Sequence, residues 1–143
     1  MLYLCESTSE HPLAKAIVDH IDKEHPEMRL NLRYQLASFE NINGEGVVAT
    51  IKHKDSMQKT KVICGNDKLL DRFKVDLDFN NFRMNMQSLE REGKTVVCMA
   101  IDQVPRLLIS MEEAHLTKTE ALAVVNYMRH KLNVGVYMIT GDN

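Results

Sequence analysis

Residues 32–51 read LRYQLASFENINGEGVVATI, and this stretch decides the fold. Two runs with strand character, 32–39 and 47–51, flank the turn-rich segment Asn41-Ile42-Asn43-Gly44-Glu45-Gly46. A third run with strand character, 61–64, follows the polar segment 53–60. Strands that follow one another through short polar connections predict an antiparallel meander.

Helices are predicted on both sides of this meander. Upstream, a serine cap at position 9, a proline in the first turn and apolar residues at 13, 17 and 21 predict a helix that ends at His25-Pro26. Residues 2–5 have the character of the end of another helix. Downstream, we predict helices at 67–73 and 80–91, the second closed by Gly93, and further strands at 95–101 and 106–110.

The pattern changes towards the carboxyl end. Residues 117–131 predict an amphipathic helix, and the apolar stretch 134–139 predicts a buried strand that ends at Thr140-Gly141-Asp142-Asn143. A helix, a buried strand and a small polar loop are typical of a parallel α/β sheet. The predicted fold class is therefore α+β, an antiparallel sheet flanked by helices over 1–111, followed by an incomplete helix-strand fragment of a parallel α/β domain over 112–143.

Composition and charge narrow the classes of function. The 143 residues are 44% hydrophobic and 27% charged, which is typical of a globular domain. With 18 basic against 20 acidic residues and a net charge of -2, no nucleic-acid partner is predicted. Three distant cysteines indicate a reducing compartment, and no apolar run approaches the ~20 residues that cross a bilayer. The chain by itself is predicted to be a cytosolic monomer.

Four short segments could carry chemistry. His11 is predicted in the opening turn of a helix, with Glu6 five residues before it; an imidazole and a carboxylate can hold a purine. The Gly44-Glu45-Gly46 turn and the Gly65-Asn66 pair allow close backbone approach and offer an amide. The loop at Thr140 and Gly141 could bind a phosphate. Each has a plainer interpretation from composition alone: a packed or capping histidine, a hairpin turn, a helix cap and an ordinary loop.

The order and spacing of these segments resemble the heavy-metal-transporting P-type ATPases, above all the copper-pumping branch. The resemblance is carried by Glu6 followed by SEHPLAKAIV at 9–18, GEG at 44–46, CGN at 64–66, EGKTVVCMAID at 92–102 and ITGDN at 139–143. SEHPL is highly specific for that family, TGDN is shared by P-type ATPases at large, and the match covers nearly the whole chain.

This resemblance implies a nucleotide-binding domain, residues 1–111, and part of a phosphorylation domain similar to the haloacid-dehalogenase core, residues 112–143. It implies an adenine pocket and a second phosphate-contacting motif at Thr140 and Gly141. The implied pocket residues are Glu6, His11, Gly44, Gly46, Val47, Gly65 and Asn66. ATP with Mg²⁺ is the implied ligand, and the implied partners are the remaining phosphorylation, actuator and transmembrane domains of a pump for a transition metal, copper(I) preferred.

The Asp-Lys-Thr-Gly-Thr sequence, which carries the phosphorylated aspartate of this family, does not occur. We therefore predict that the chain has no catalytic residue of its own and that it binds ATP with little or no hydrolysis. We also predict no metal site. Two alternatives stay open. One is a haloacid-dehalogenase-type phosphatase fragment, based on the strand that ends at Thr140, and the other is a copper- or zinc-binding module based on Cys5, His11 and Cys64.

Overall fold

A computed structural model describes residues 1–30, 33–56, 58–112, 119–137 and 139. The chain divides into two compact units, Met1–Glu112 and Glu113–Asn143. The predicted domain boundary, after residue 111, differs from this division by one residue. That the units are a nucleotide-binding and a phosphorylation domain remains a prediction.

The first unit is built on a five-stranded antiparallel sheet in which the strands follow chain order. The strands are β1 (Tyr34–Ile42), β2 (Gly46–His53), β3 (Lys59–Gly65), β4 (Thr95–Ile101) and β5 (Val104–Met111). The predicted antiparallel meander is confirmed. The tight turn between β4 and β5 uses Asp102 and Gln103 in the left-handed conformation, with φ of 47° and 68°. Positive φ at both central positions is what a type I′ two-residue hairpin turn requires, although Asn-Gly and Asp-Gly are the usual pairs there.

Four helices accompany the sheet: α1 (Leu2–Glu6), α2 (Pro12–Glu24), α3 (Asp67–Arg72) and α4 (Phe82–Arg91). Short 3₁₀ turns occupy Pro26–Leu30 and Phe79–Asn81. The helix predicted at 80–91 therefore begins two residues later, because Asn80 and Asn81 both have positive φ and cannot belong to a right-handed helix.

The core lies on both faces of the sheet because side chains alternate along each strand. Val48 and Ile63 point to one face and pack with Leu69 and Leu70 of α3. On the other face, Val47, Val62 and Cys64 pack with Cys5 of α1. The sheet is thus a central layer covered on both sides, which explains the consecutive buried residues Val47, Val48 and Ala49 in β2 and Val62, Ile63 and Cys64 in β3.

In the second unit, α5 spans Thr119–His130, as the amphipathic pattern predicted. The strand predicted at 134–139 is wrong for the residues described: 133–137 and 139 form no strand. A strand needs hydrogen-bonding partners on a neighbouring strand, and the described part of this unit contains none. The described residues of this unit therefore do not confirm the parallel α/β fragment, and they contain no strand that would support the phosphatase alternative. Within the described residues, no helix has the length and apolar character needed to cross a bilayer.

Candidate functional site

His11 caps α2 with its own ring. Its Nδ1 accepts a hydrogen bond from the backbone N–H of Leu13 at 3.2 Å, and Pro12 occupies the first helical position. The predicted cap, Ser9, instead accepts the N–H of His11 at 3.3 Å through its Oγ. Because Nδ1 acts as an acceptor, Nε2 carries the proton of the neutral ring and is the edge left for other partners.

Glu6, the last residue of α1, is 5% exposed and is the one charged residue in the buried set of the described chain. Burial raises the pKa of this carboxyl group, while a hydrogen bond from the Cys64 thiol and the proximity of His11 lower it. Glu6 and His11 are therefore electrostatic neighbours, although they belong to different helices.

Two glycines meet on the opposite side of the site. Gly46 pairs with Gly65 across β2 and β3. A Cβ on Gly46 would lie 2.2 Å from the carbonyl oxygen of Cys64, and a Cβ on Gly65 would lie 2.2 Å from the carbonyl oxygen of Glu45. The backbones approach so closely that no side chain fits at either position. Close packing of the protein itself is thus sufficient to explain both residues.

Gly44 has a different role. A Cβ there would meet nothing within 4 Å, but φ is +73°. The left-handed conformation of the turn, rather than space, therefore favours glycine at this position.

Asn66 joins the glycine turn to α3. Its Oδ1 accepts the N–H of Leu69 at 3.2 Å and so caps α3, while its Nδ2 donates to the carbonyl of Gly44 at 2.9 Å. Its backbone N–H donates to the carbonyl of Glu45, also at 2.9 Å. One residue thus provides both the helix cap that its type predicts and a link across 22 positions of the chain.

A cavity of about 240 Å³ separates the histidine side from the glycine side. All seven predicted pocket residues of the first unit line it: Glu6, His11, Gly44, Gly46, Val47, Gly65 and Asn66. The tertiary structure therefore brings together residues that are up to 60 positions apart in sequence, from Glu6 to Asn66. Thr140 and Gly141 lie outside the described residues, so their predicted contact with a phosphate stays a prediction.

The cavity also has walls that were not predicted. Leu13, Ala14 and Ile17 contribute an apolar side from α2, and β4 contributes Thr95, Val96 and Val97. The apolar residues of α2 served only as the periodic signal that predicts the helix. The β4 residues belong to the EGKTVVCMAID motif, so the motif was recognised but its position in the site was not.

Three free cysteines are buried near the site. Burial raises the pKa of Cys5 to about 12 and that of Cys98 to about 12. The pKa of Cys64 is raised well above its ordinary value by burial and by the charge of Glu6. Metal ions bind the thiolate, which these environments disfavour at neutral pH. Among the described residues, no group of three or more histidine, cysteine or acidic side chains is arranged to hold a metal ion.

The fold and the cavity together define a helix-flanked antiparallel domain with a largely apolar cavity between the start of α2 and the glycine turn. No protein-family model matches the chain. Over all 143 residues it is 32% identical to a copper-exporting P-type ATPase of Staphylococcus saprophyticus and 30% identical to one of Staphylococcus epidermidis. It is 32% identical, over 138 residues, to a copper-exporting P-type ATPase of Staphylococcus haemolyticus.

The chain spans about a sixth of the length of these relatives, 16%, 16% and 15% respectively. The match covers the whole chain in the first two cases and 96% of it in the third. These similarities confirm the resemblance that the motifs indicated: the chain corresponds in sequence to a segment of the heavy-metal P-type ATPases.

Proposed function

We propose that this chain is an ATP-binding domain of a P-type ATPase that couples ATP hydrolysis to the transport of a transition-metal cation, copper(I) preferred, across a membrane. The observation that carries the proposal is the convergence of Glu6, His11, the glycine turn and Asn66 on one cavity. The names of the relatives support the choice of metal. The domain would work on the cytosolic side, with the phosphorylation, actuator and transmembrane domains of the pump as its partners.

The cavity suits the base of a nucleotide better than its phosphates. Its described lining is largely apolar, includes the acidic residues Glu6 and Glu45, and contains no lysine or arginine. Its volume, about 240 Å³, lies below the ~300–1,000 Å³ of complete ligand sites, so part of the ligand would remain outside. We therefore propose that adenine enters and that the triphosphate, with its Mg²⁺, projects away from the cavity.

Three groups would share recognition of the base. The imidazole of His11 is held by its bond to Leu13 N–H and offers a flat face and the Nε2 edge. Glu6 offers a carboxylate that can accept the amino protons of adenine. The backbone at Gly44 and Gly46 would form the opposite wall. With little charge involved, we expect an affinity of roughly 4–8 kcal/mol, that is, millimolar to micromolar binding.

Phosphoryl transfer in the whole pump would depend on how this domain positions the bound nucleotide. Binding of the base in this domain would hold the γ-phosphate near an aspartate of another domain, which converts a bimolecular encounter into an oriented one. We expect the isolated chain to bind ATP with little or no hydrolysis, because the Asp-Lys-Thr-Gly-Thr sequence that carries the phosphorylated aspartate of the family does not occur in it.

The test is calorimetric titration of the chain with ATP, with and without Mg²⁺. His11→Ala would also remove a helix cap worth about 1 kcal/mol of stability, so His11→Asn is the sharper variant: asparagine can cap α2 but has no ring. We expect His11→Asn to weaken binding about 10-fold, or about 1.4 kcal/mol. His20→Asn, at an exposed position of the same helix, is the matched control. Unchanged affinity in His11→Asn, with an intact far-ultraviolet spectrum, would rule out the proposed role of the ring.

A further inference from the structure

The side chain of Glu45 is directed to α3. Glu45 lies between the two glycines of the turn, and its Oε1 accepts a hydrogen bond from Nη2 of Arg72 at 2.6 Å. The Glu45 side chain is 18% exposed, whereas that of Arg72 is 54% exposed. Arg72 is not among the described residues that line the cavity. Arg72 therefore contacts a residue of the cavity wall without lining the cavity itself.

The ion pair accounts for only one of the two carboxylate oxygens. Oε2 of Glu45 is buried and has no hydrogen-bond partner within the described part of the chain. A buried carboxylate with one unsatisfied oxygen depends strongly on its remaining partner. Arg72 is that partner.

The same helix holds the turn through the backbone. Asn66, the cap of α3, binds the carbonyls of Gly44 and Glu45, each at 2.9 Å. The turn is thus attached to α3 at two backbone groups by Asn66 and at one side chain by Arg72. Rotation of the Glu45 side chain towards the cavity would require the ion pair to break.

Rotation of the Glu45 carboxylate towards the cavity would weaken the binding of an anionic ligand. Glu6 and Glu45 both line the cavity, and the described lining offers no cationic side chain to offset them. A carboxylate released from Arg72 at the cavity wall would repel a polyphosphate. It would affect a neutral nucleoside much less.

We infer that Arg72 is a positioning residue for nucleotide binding, which neutralises Glu45 and keeps this carboxylate on the α3 side of the glycine turn. This inference rests on the proposed ATP site. Arg72 thereby determines how well the site tolerates the phosphate chain, without contacting the ligand.

The experiment compares ATP with adenosine. Calorimetric titrations at low ionic strength, where screening is weak, are carried out on the whole chain and on Arg72→Gln. We expect Arg72→Gln to weaken ATP binding about 3- to 10-fold, in line with a partly exposed ion pair. Adenosine binding should change less than about 2-fold, because the nucleoside carries no charge. The matched control is Lys68→Gln, which removes the same charge from an exposed position of the same helix and should leave both affinities unchanged.

The double variant Glu45→Gln/Arg72→Gln distinguishes this electrostatic mechanism from a loss of structure in the glycine turn. It removes the carboxylate together with its partner, so ATP affinity should return to within about 2-fold of the unsubstituted chain. Amide hydrogen exchange at Asn66, whose N–H binds the Glu45 carbonyl, reports whether the turn is still attached. Arg72→Lys retains the positive charge, so its ATP affinity should stay within about 2-fold of the unsubstituted chain. A larger loss in Arg72→Lys would overturn the inference, and this test remains if Arg72→Gln does not fold.

The outcomes are distinct. If the unsubstituted chain binds neither ATP nor adenosine, the proposed function fails and the inference fails with it. If the chain binds ATP but Arg72→Gln binds it equally well, the inference alone is overturned. Equal losses for ATP and adenosine, without recovery in the double variant, would show a purely structural role and would also overturn the inference.

Discussion

The two units of this chain follow the same sequence rules with different results. In Met1–Glu112, the apolar residues of the predicted strands and helices form a core in which Ile63, Leu69 and Leu70 are completely buried. In Glu113–Asn143, α5 forms as predicted, yet Leu122 is 69% exposed and Tyr127 is 58% exposed. None of the described side chains of α5 is buried.

The difference lies in the range of the interactions that each element needs. A helix satisfies its backbone hydrogen bonds within itself, so α5 forms even though the apolar side chains on it stay exposed. A strand needs a neighbour, and residues 133–137 have none among the described residues. Matched substitutions in the two units can break or sharpen this comparison.

The largest difference is expected for an added methyl group. Gly46→Ala combines a φ of +141° with a Cβ 2.2 Å from the carbonyl of Cys64. We expect it to lower the free energy of unfolding by about 4 kcal/mol, since backbone strain and overpacking each cost ~1–3 kcal/mol. In Gly135→Ala the new Cβ meets only the ring of Tyr137, an exposed side chain that can move, so a change within about 0.5 kcal/mol is expected. Urea unfolding followed by circular dichroism measures both. A tolerated Gly46→Ala would contradict the close approach of the two backbones.

A deleted side chain should give the next largest contrast. Leu70→Ala empties a fully buried position of α3 that packs against the sheet, and we expect a loss of about 2–5 kcal/mol. Leu122→Ala removes the same atoms from an exposed position and should change stability by less than about 0.5 kcal/mol. The same urea experiment applies. Equal losses in the two variants would show that α5 is buried in solution.

The smallest contrast concerns a buried acid. The pKa of Glu6 is raised above its ordinary value of 4.5, chiefly by burial. The folded chain therefore binds a proton more tightly than the unfolded chain. The stabilising contribution is complete below pH 4.5 and is lost as the pH rises through the native pKa. Glu6→Gln should remove this dependence, so its stability relative to the unsubstituted chain should increase with pH across that window.

The control for this experiment is Glu120→Gln, which removes the same charge from an exposed position in α5. The free energy of unfolding of the three proteins is measured from pH 4 to pH 8. This range of about four pH units is centred above the ordinary carboxyl pKa. A Glu6→Gln variant with the same pH slope as the unsubstituted chain would show that burial of this carboxyl group has no effect on its titration.

Much of the first unit could be predicted from local signals. Strand character on both sides of the turn at 41–46, the proline at the start of α2 and the glycine at 93 each depend on near neighbours in sequence. The predictions missed features that depend on distant residues. The ion pair of Glu45 with Arg72 spans 27 positions, and no local pattern indicates it. The bulge between Leu36 and Ser38 likewise reflects the register of a neighbouring strand.

The site shows the same division. The motifs singled out His11, Gly44 and Asn66, and all three line the cavity; their contact with a ligand stays a prediction. The reason for Gly46 and Gly65 was not accessible, since it is the contact of two backbones that the chain brings together from 19 positions apart. The apolar wall from α2 was not predicted, because a helical period does not tell which apolar residues face a core and which face a cavity.

The sequence by itself determined where the helices and strands of the first unit form, because turns, caps and side-chain periodicity act over a few residues. It also determined the resemblance to one segment of the heavy-metal P-type ATPases, through the order of the motifs. Only the tertiary structure decided that Glu6, His11 and the glycine turn share one cavity, that Arg72 forms an ion pair with Glu45, and that residues 133–137 form no strand. Each of these depends on contacts between distant parts of the chain, whose free energies exist only once the backbone has brought the groups within reach.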